Sequence, residues 1–440
     1  MEKLLILGLS TRALVNSALQ LDYQTYCSSY YHTTDSKVPY KEKHILQQKP
    51  HESCGFFREK FNPIEILLNS LDWIESADYI ILNTGISPGY FNGNIKKNDL
   101  TPFRLENVKN NLNLNELNNI LKKNKNKIIG NKNTESIENK YKFYKKTKNK
   151  YSLPLTFKLK NPPEEIEEKN NKVIIEAIEI AKQYEDKEFI LKELNGSGGY
   201  GINLLNNKFK NYGSNTKRKT NPLILQEYIH GDDISCSLLS NPYEVKAIVA
   251  SKNLNNAHYQ KNQDIKDFKY SGNITPFEKD KYNKLIVKEI HETSEDLISK
   301  LNLIGSNGVD LIVKNNGEIN IIEVNPRFQG TYECVEEVLG INLLKAHIDA
   351  CFGERINIQE PKNHTIKKII YAKKRLKFNG LKNLRNNLNK NISLHDLPYK
   401  DAIIEANQPL LTIFGKNNKL SNLKIDIEKV NNQIDNALYD

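Results

Sequence analysis

The segment Gly308-Val309-Asp310-Leu311-Ile312-Val313-Lys314-Asn315-Asn316-Gly317-Glu318-Ile319-Asn320-Ile321-Ile322-Glu323-Val324-Asn325-Pro326-Arg327 sets two carboxylates into apolar runs on either side of Asn316-Gly317. That dipeptide is the strongest short-range hairpin signal. With those two residues as the loop, Val313 faces Asn320, Ile312 faces Ile321, Leu311 faces Ile322 and Asp310 faces Glu323. Two acids directly opposite, with Cβ atoms ~4.5–5.5 Å apart, repel unless a cation lies between them. Strand alternation puts Asn325 and, roughly, Arg327 on the side of Glu323. Carboxylate and amide oxygens are hard ligands suited to Mg²⁺ bridging nucleotide phosphates. Arg327 then points to where a transferred phosphoryl group or an acyl intermediate would sit. The surrounding isoleucines argue against a hairpin with its acids in water.

A second chemical signal is Glu188-Phe189-Ile190-Leu191-Lys192-Glu193-Leu194-Asn195-Gly196-Ser197-Gly198-Gly199-Tyr200-Gly201. A strand delivers Lys192, and a loop containing Gly196, Ser197, Gly198, Gly199 and Gly201 follows. Glycines let backbone N–H groups converge on an anion, and the lysine adds a compact positive charge. The order is not that of a Walker A loop, in which Lys follows the glycines. A third signal is the strand-like Pro222–Leu225 run leading into Gln226-Glu227-Tyr228-Ile229-His230-Gly231-Asp232-Asp233. Such a connector can offer backbone groups to an adenine edge, and a carboxylate just beyond it can accept ribose hydroxyls. His230 reads as a turn residue.

These motifs need a scaffold, and the composition bounds it. The chain has 440 residues, 38% hydrophobic and 27% charged, which is long enough for two to four lobes with a real core. No apolar run approaches the ~18 residues of a membrane span, and the start Met1–Gly8 reads as a strand rather than a secretory signal. Five scattered cysteines, none in a Cys-x-x-Cys pair, suit free thiols in a reducing cytoplasm. The histidines show no His-x-x-x-His spacing, so a zinc site finds little support. The net charge of +11 hints at nucleic acid. However, 59 asparagines rise together with the lysines, as in Asn124-Lys125-Asn126-Lys127. A solvated Lys/Asn-rich surface explains the charge, and no nucleic-acid or membrane partner is expected.

Residues 1–110 open with strand Leu4–Leu7, the turn Gly8–Arg12 and a helix over Ala13–Leu21, and continue to strand Tyr79–Leu82 before Asn83-Thr84-Gly85. Apolar strands ending in small polar residues suit a parallel α/β sheet whose strand ends face a crevice. Val173–Tyr184 carries apolar residues at 174, 177, 178 and 181, an amphipathic helix. Asn206–Thr220 reads as a basic loop. Beyond about 352, runs such as Lys368–Tyr371 and Leu410–Phe414 suggest a small β-rich capping lobe.

Taken in order, the glycine loop with its lysine, the connector with its acid, and the Asp…Glu-x-Asn-x-Arg hairpin closely resemble the ATP-grasp superfamily over about residues 111–350. The resemblance implies α/β plus α+β architecture: a pre-ATP-grasp, Rossmann-like domain at 1–110, an ATP-grasp domain at 111–352 whose two lobes clasp ATP, and the lobe at 353–440. It implies an Mg²⁺- or Mn²⁺-dependent ligase that joins a small-molecule carboxylate to an amine through an acylphosphate, with ADP and phosphate as products. Lys192 resembles the second phosphate lysine and Lys140, in Glu138-Asn139-Lys140-Tyr141, the first, although Asn139 stands where family members often carry Asp. Gln226, Glu227, Tyr228 and Ile229 resemble the adenine connector, Asp233 the ribose acid, and Asp310, Glu323 and Asn325 the metal ligands, with Arg327 and Lys192 at the reacting phosphate. Gly8–Leu14, His395-Asp396-Leu397-Pro398 and Gln408-Pro409-Leu410 are similar to a largely archaeal branch described as predicted ATP-dependent carboligases. A cytoplasmic enzyme is expected, and a homodimer fits this reading. The rivals are a bicarbonate-dependent carboxylase of the same fold and a non-catalytic ATP-binding protein. No lysine lies between methionines, so a fused biotin carrier is not expected. Arg12 is expected either to fork onto a substrate carboxylate or to lie on a helix surface.

Overall fold

Four apolar residues in a row at Leu4–Leu7 fit only a strand covered on both faces, and that is their position. A computed structural model describes residues 1–37, 39–46, 62–100, 113–160, 166–196, 198–199, 201–205, 222–255, 268–277 and 284–439. Cys54, Pro162-Pro163, Ser197 and the basic stretch 206–220 lie outside the described residues. In the first sheet, β1 (Lys3–Gly8) lies between β2 (Gln24–Tyr31) and β4 (Tyr79–Leu82), and β3 (Lys41–Leu46) flanks β2. All of its pairs are parallel. The helix expected over Ala13–Leu21 runs Arg12–Ala18.

A small antiparallel sheet of order β5-β8-β6-β7 comes next, built from β5 (Thr156–Lys158), β6 (Phe189–Glu193), β7 (Asn203–Leu204) and β8 (Leu223–Glu227). The helix Ile166–Ala181 covers one face through Val173, Ile174 and Ala177. The remaining strands are β9 (Asp232–Ser240), β10 (Val245–Asn255), β11 (Tyr270–Thr275), β12 (Gly305–Val313), β13 (Ile319–Asn325), β14 (His364–Tyr371), β15 (Leu376–Lys377), β16 (Ile392–His395), β17 (Ile403–Ile404) and β18 (Pro409–Asn417). Apart from the β15–β17 pair, they form one eight-stranded sheet of order β13-β12-β9-β10-β11-β14-β18-β16. The strands beyond residue 352 thus extend the central sheet, while keeping an apolar cluster of their own under the helix Leu420–Tyr439. No helix among the described residues is long and apolar enough to cross a membrane, and Cys27, Cys236, Cys334 and Cys351 are free thiols.

The β12–β13 hairpin departs from the expected register. Lys314 N–H donates to Glu318 O at 2.9 Å, and Gly317 N–H donates to Lys314 O at 2.9 Å. The loop therefore holds three residues, with Gly317 at φ +89°, the left-handed position such a loop requires. Val313 pairs with Ile319, Ile312 with Asn320 and Leu311 with Ile321, each one residue off expectation. A bulge at Ile322 then restores Asp310 opposite Glu323. The bulge also switches face. Ile319 and Ile321 join the core with Val309, Leu311 and Val313, but beyond it Val324 takes the core side. Without the extra residue, Glu323 would point into that core.

Between the parallel sheet and the large sheet lies a shared core in which Leu14, Val15 and Ala18 meet Val335, Leu339, Leu343 and Leu344. Above it Arg12 is 5% exposed, neither on a helix surface nor free for a substrate. Its guanidinium pairs with Asp396 at 2.8 Å, Glu333 at 2.9 Å and Asp35 at 3.3 Å, and Lys367 reaches Glu333 at 3.2 Å. Burial alone would raise both the Glu333 and Asp396 carboxyls. Lys367 and Arg12 overcome this and hold both below the usual carboxylate range. Their contribution to stability is present above the unfolded carboxylate range and is lost as pH falls through the depressed values. Arg12→Met should cost ~3–5 kcal/mol at neutral pH by stranding buried acids. The loss should shrink as pH falls and those acids protonate. Urea denaturation at pH 7 and at about pH 3, below the unfolded carboxylate range, measures it; an equal loss at both would contradict the assignment.

Candidate active site

Antiparallel pairing sets Lys192 opposite Ile224 and Ile190 opposite Gln226. Phe189, Leu191, Leu223 and Leu225 belong to the core under the covering helix, so alternation turns Lys192 and Gln226 to the other face. Lys192 is only 4% exposed. Burial and the nearby Lys140 ammonium push its pKa down to about 7, against the pull of Glu323 and Asp310. Lys140, at the start of the helix Lys140–Thr147, donates to Glu323 Oε2 at 2.9 Å and to Gly196 O at 2.6 Å. One ammonium thereby ties the glycine loop to the acid hairpin.

The cation expected between the acids is therefore supplied in part by lysine. Burial would raise Glu323, but Lys140 and Lys192 overcome it and bring the carboxyl down to about 2. Asp310 goes the other way: burial and the Glu323 charge raise it to about 7. Asp310 accepts from Ser235 Oγ, from Asn325 Nδ2 at 2.6 Å and from Gln329 Nε2 at 3.1 Å. Sequence reasoning missed Ser235 and Gln329. Ser235 had a signal, since it follows Asp233 by two residues on one strand. Gln329 had none, because it reaches Asp310 only by lying across Gly308, where a Cβ would come within 1.7 Å of its side chain.

Asp233 is half-buried, and the loss of solvent raises its pKa; it accepts from Asn253 at 3.0 Å and Asn255 at 3.4 Å. It pairs in register with Ile312, two places from the Ser235–Asp310 pair, and so joins the same acidic surface. The Arg327 charge favours ionisation of both Asp310 and Glu323. Gly198, Gly199 and Gly201 all have positive φ. A Cβ on Gly199 would lie 1.9 Å from Phe268 O, and Tyr270 N–H donates to Gly198 O at 3.2 Å. The loop thus rests on the large sheet as well as on Lys140.

The connector is more committed than expected. Gln226 donates to Thr156 Oγ1 at 2.9 Å. The Glu227 carboxylate takes Lys187 Nζ at 2.6 Å and Leu155 N–H at 3.0 Å. The N–H groups of Glu227 and Tyr228 donate to Leu155 O and Glu188 O, each at 2.8 Å. Gln226 and Glu227 therefore shape the connector and do not present their side chains to a base. Beyond Arg327, the segment Phe328–Glu333 lines a cavity of about 350 Å³. Its other walls are Leu9–Leu14 and Asn83-Thr84 from the parallel sheet, and Lys367, Asp396 and Pro409–Thr412. The strand-end residues and the tail motifs singled out in the sequence meet there.

Lys192 and a glycine loop on one small sheet, with Lys140 at the start of a helix beside them, face paired acids on a large sheet, which is the arrangement of the ATP-grasp fold. Residues 137–331 match the family model described as an ATP-grasp domain. The chain is 29% identical over 420 residues to an uncharacterised protein of Methanocaldococcus jannaschii, covering 94% of this chain and 88% of that protein. Its fold is that of a carboxyaminoimidazole ribonucleotide synthase from Aspergillus clavatus complexed with ATP (TM-score 0.67, 14% identity, 99% of this chain and 98% of that one). A biotin carboxylase from Campylobacter jejuni is similar as well (TM-score 0.63, 15% identity, 95% and 87%).

Lys192→Ala should weaken ATP binding about tenfold or more, or about 1.4 kcal/mol, with the fold intact by circular dichroism. Unchanged affinity in calorimetry would remove this lysine from the phosphate site. In Glu323→Gln, the strengthening of ATP binding by Mg²⁺ should fall by a similar factor. A Mg²⁺ increment equal to that of the wild type would separate the acid pair from metal binding.

Proposed function

We propose that the protein is a carboxylate–amine ligase driven by ATP. The observation that carries this reading is the half-buried Asp310–Glu323 pair, flanked by Lys140 and Lys192, which is continuous through Asn325–Gln329 with the 350 Å³ cavity. In this reading Lys140, Lys192 and the N–H groups of Gly196–Gly201, including Ser197, hold the phosphates. The connector from Gln226 to Ile229 flanks the adenine through its backbone, and Asp233 accepts the ribose hydroxyls. Asp310, Glu323 and Asn325 suit Mg²⁺ because they offer hard oxygens in a half-buried, like-charged pair; the ion supplies charge neutralisation at the phosphates.

The chemistry assigned to the chain's own groups follows. A substrate carboxylate oxygen attacks the γ-phosphorus, the bond from phosphorus to the β-phosphate oxygen breaks, and ADP leaves. Lys192 and Arg327 carry the charge of the transferring group. The amine lone pair then attacks the acyl carbon, phosphate departs, and the amine loses its proton. The cavity is far larger than bicarbonate requires, and apolar walls such as Leu14, Phe328 and Leu411 suit an organic substrate.

A second reading takes bicarbonate as the carboxylate and places only the amine in the cavity. The likeness to a carboxyaminoimidazole ribonucleotide synthase and a biotin carboxylase favours it. A screen of acids for ADP release, followed by hydroxylamine trapping, separates the two. With the cognate acid and Mg-ATP, hydroxylamine should yield a hydroxamate and ADP, without AMP and without bicarbonate. Strict dependence on bicarbonate, with its labelled carbon in the product, would overturn the ligase reading in favour of the carboxylase.

A further inference from the structure

Away from the ATP-grasp motifs, two imidazoles and a carboxylate converge at one end of the parallel sheet. His32 follows β2, and Glu42 and His44 lie on one face of β3. His44 Nε2 is 3.3 Å from Glu42 Oε2, and His32 Nε2 is 3.7 Å from Glu42 Oε1. All three ligand atoms lie within 4.8 Å of one another. We propose that His32, Glu42 and His44 bind one divalent transition-metal ion of the class that prefers imidazole and carboxylate, with Zn²⁺ as its representative. Metal bonds of about 2.0–2.1 Å at a tetrahedral angle hold neighbouring ligand atoms about 3.3 Å apart, so little movement is needed.

Three further observations separate this from a His–Glu ion pair. First, His44 Nε2 and Glu42 Oε2 are buried 3.3 Å apart, and neither atom has a partner beyond the other. A cation between them would satisfy both. Second, the His32 and His44 rings lie 4.2 Å apart and tilted by 33°, an arrangement two imidazolium ions would resist. Third, the tautomer of His44 is fixed from behind. Ser29 Oγ gives its single hydrogen to Tyr31 O at 2.8 Å, so at 2.6 Å from His44 Nδ1 it must accept. Nδ1 then carries the proton and the Nε2 lone pair faces Glu42, as metal-ligating histidines require. Tyr399 Oη lies 2.6 Å from His32 Nδ1 and holds that ring in place.

The side chains of His44, His32 and Glu42 are 6%, 17% and 28% exposed, so the site is enclosed yet reachable past Glu42. Three protein ligands leave a coordination position open. Through Tyr399 the ion would fix the C-terminal segment to the end of β2. There Asp35 already holds the N–H groups of Asp396 and Leu397 at 3.0 and 2.9 Å, beside the cavity wall formed by Tyr31 and Thr33.

The test is a titration of the full-length, chelator-stripped protein with Co²⁺ and then Zn²⁺, without nucleotide. One Co²⁺ per chain should give visible absorption that Zn²⁺ displaces, and Zn²⁺ should raise the melting temperature. His44→Ala and Glu42→Gln should each weaken this binding by about 100-fold, whereas Glu323→Gln should keep it. Should His44→Ala fail to fold, Glu42→Gln alone decides. No Co²⁺ absorption in the wild type, wild-type binding in the Glu42 variant, or loss of the signal only in Glu323→Gln would overturn the proposal.

Discussion

Two half-buried acids held face to face are the constraint around which this molecule is arranged. Like charges on paired strands repel, and burial adds to the penalty. The structure accommodates them asymmetrically. Glu323 is ionised beside Lys140 and Lys192, while Asp310 sits among three hydrogen-bond donors with its affinity for protons raised. The bulge at Ile322 makes this possible by turning Glu323 and Asn325 to the side of Asp310, while Val324 remains in the core. A regular ladder with the same loop would bury the acid among isoleucines.

Lys140 extends the constraint to the smaller sheet. Its ammonium touches both Glu323 and Gly196 O, so hairpin and glycine loop share one charge. Lys192 depends on the same economy of charge. It lies almost fully buried beside another cation, which draws its proton affinity down to the neutral range against the pull of two acids. Such a group suits an anionic ligand, whose arrival replaces the lost solvation of the ammonium.

The cavity next to this site is a product of assembly. Its walls come from the ends of the parallel strands, from the segment after Arg327 and from the strands beyond residue 352. Arg12 fastens the three together through Asp35, Glu333 and Asp396. That guanidinium is already saturated with carboxylates, and much of the remaining wall is apolar, with Leu14, Phe328 and Leu411 among its residues.

Local pattern was enough to read much of this from the chain. Asn316-Gly317 between apolar runs announced the hairpin, and the glycines after Lys192 announced a loop of left-handed backbone. The apolar strands of the first hundred residues announced a parallel sheet, because each of these signals is a short-range property of backbone and periodicity. Even the Asp310–Glu323 pairing was legible, although two departures, a longer loop and a compensating bulge, had to cancel for it to hold. What the sequence left open required distant residues to meet. Gln329 reaches Asp310 only across a glycine, Arg12 finds Asp396 at a separation of 384 residues, and His32 joins Glu42 and His44 across parallel strands, a spacing no helical metal motif resembles. Contacts of that kind are fixed by which faces pack and which charges must be neutralised once buried, and neither is decided until the whole chain has folded.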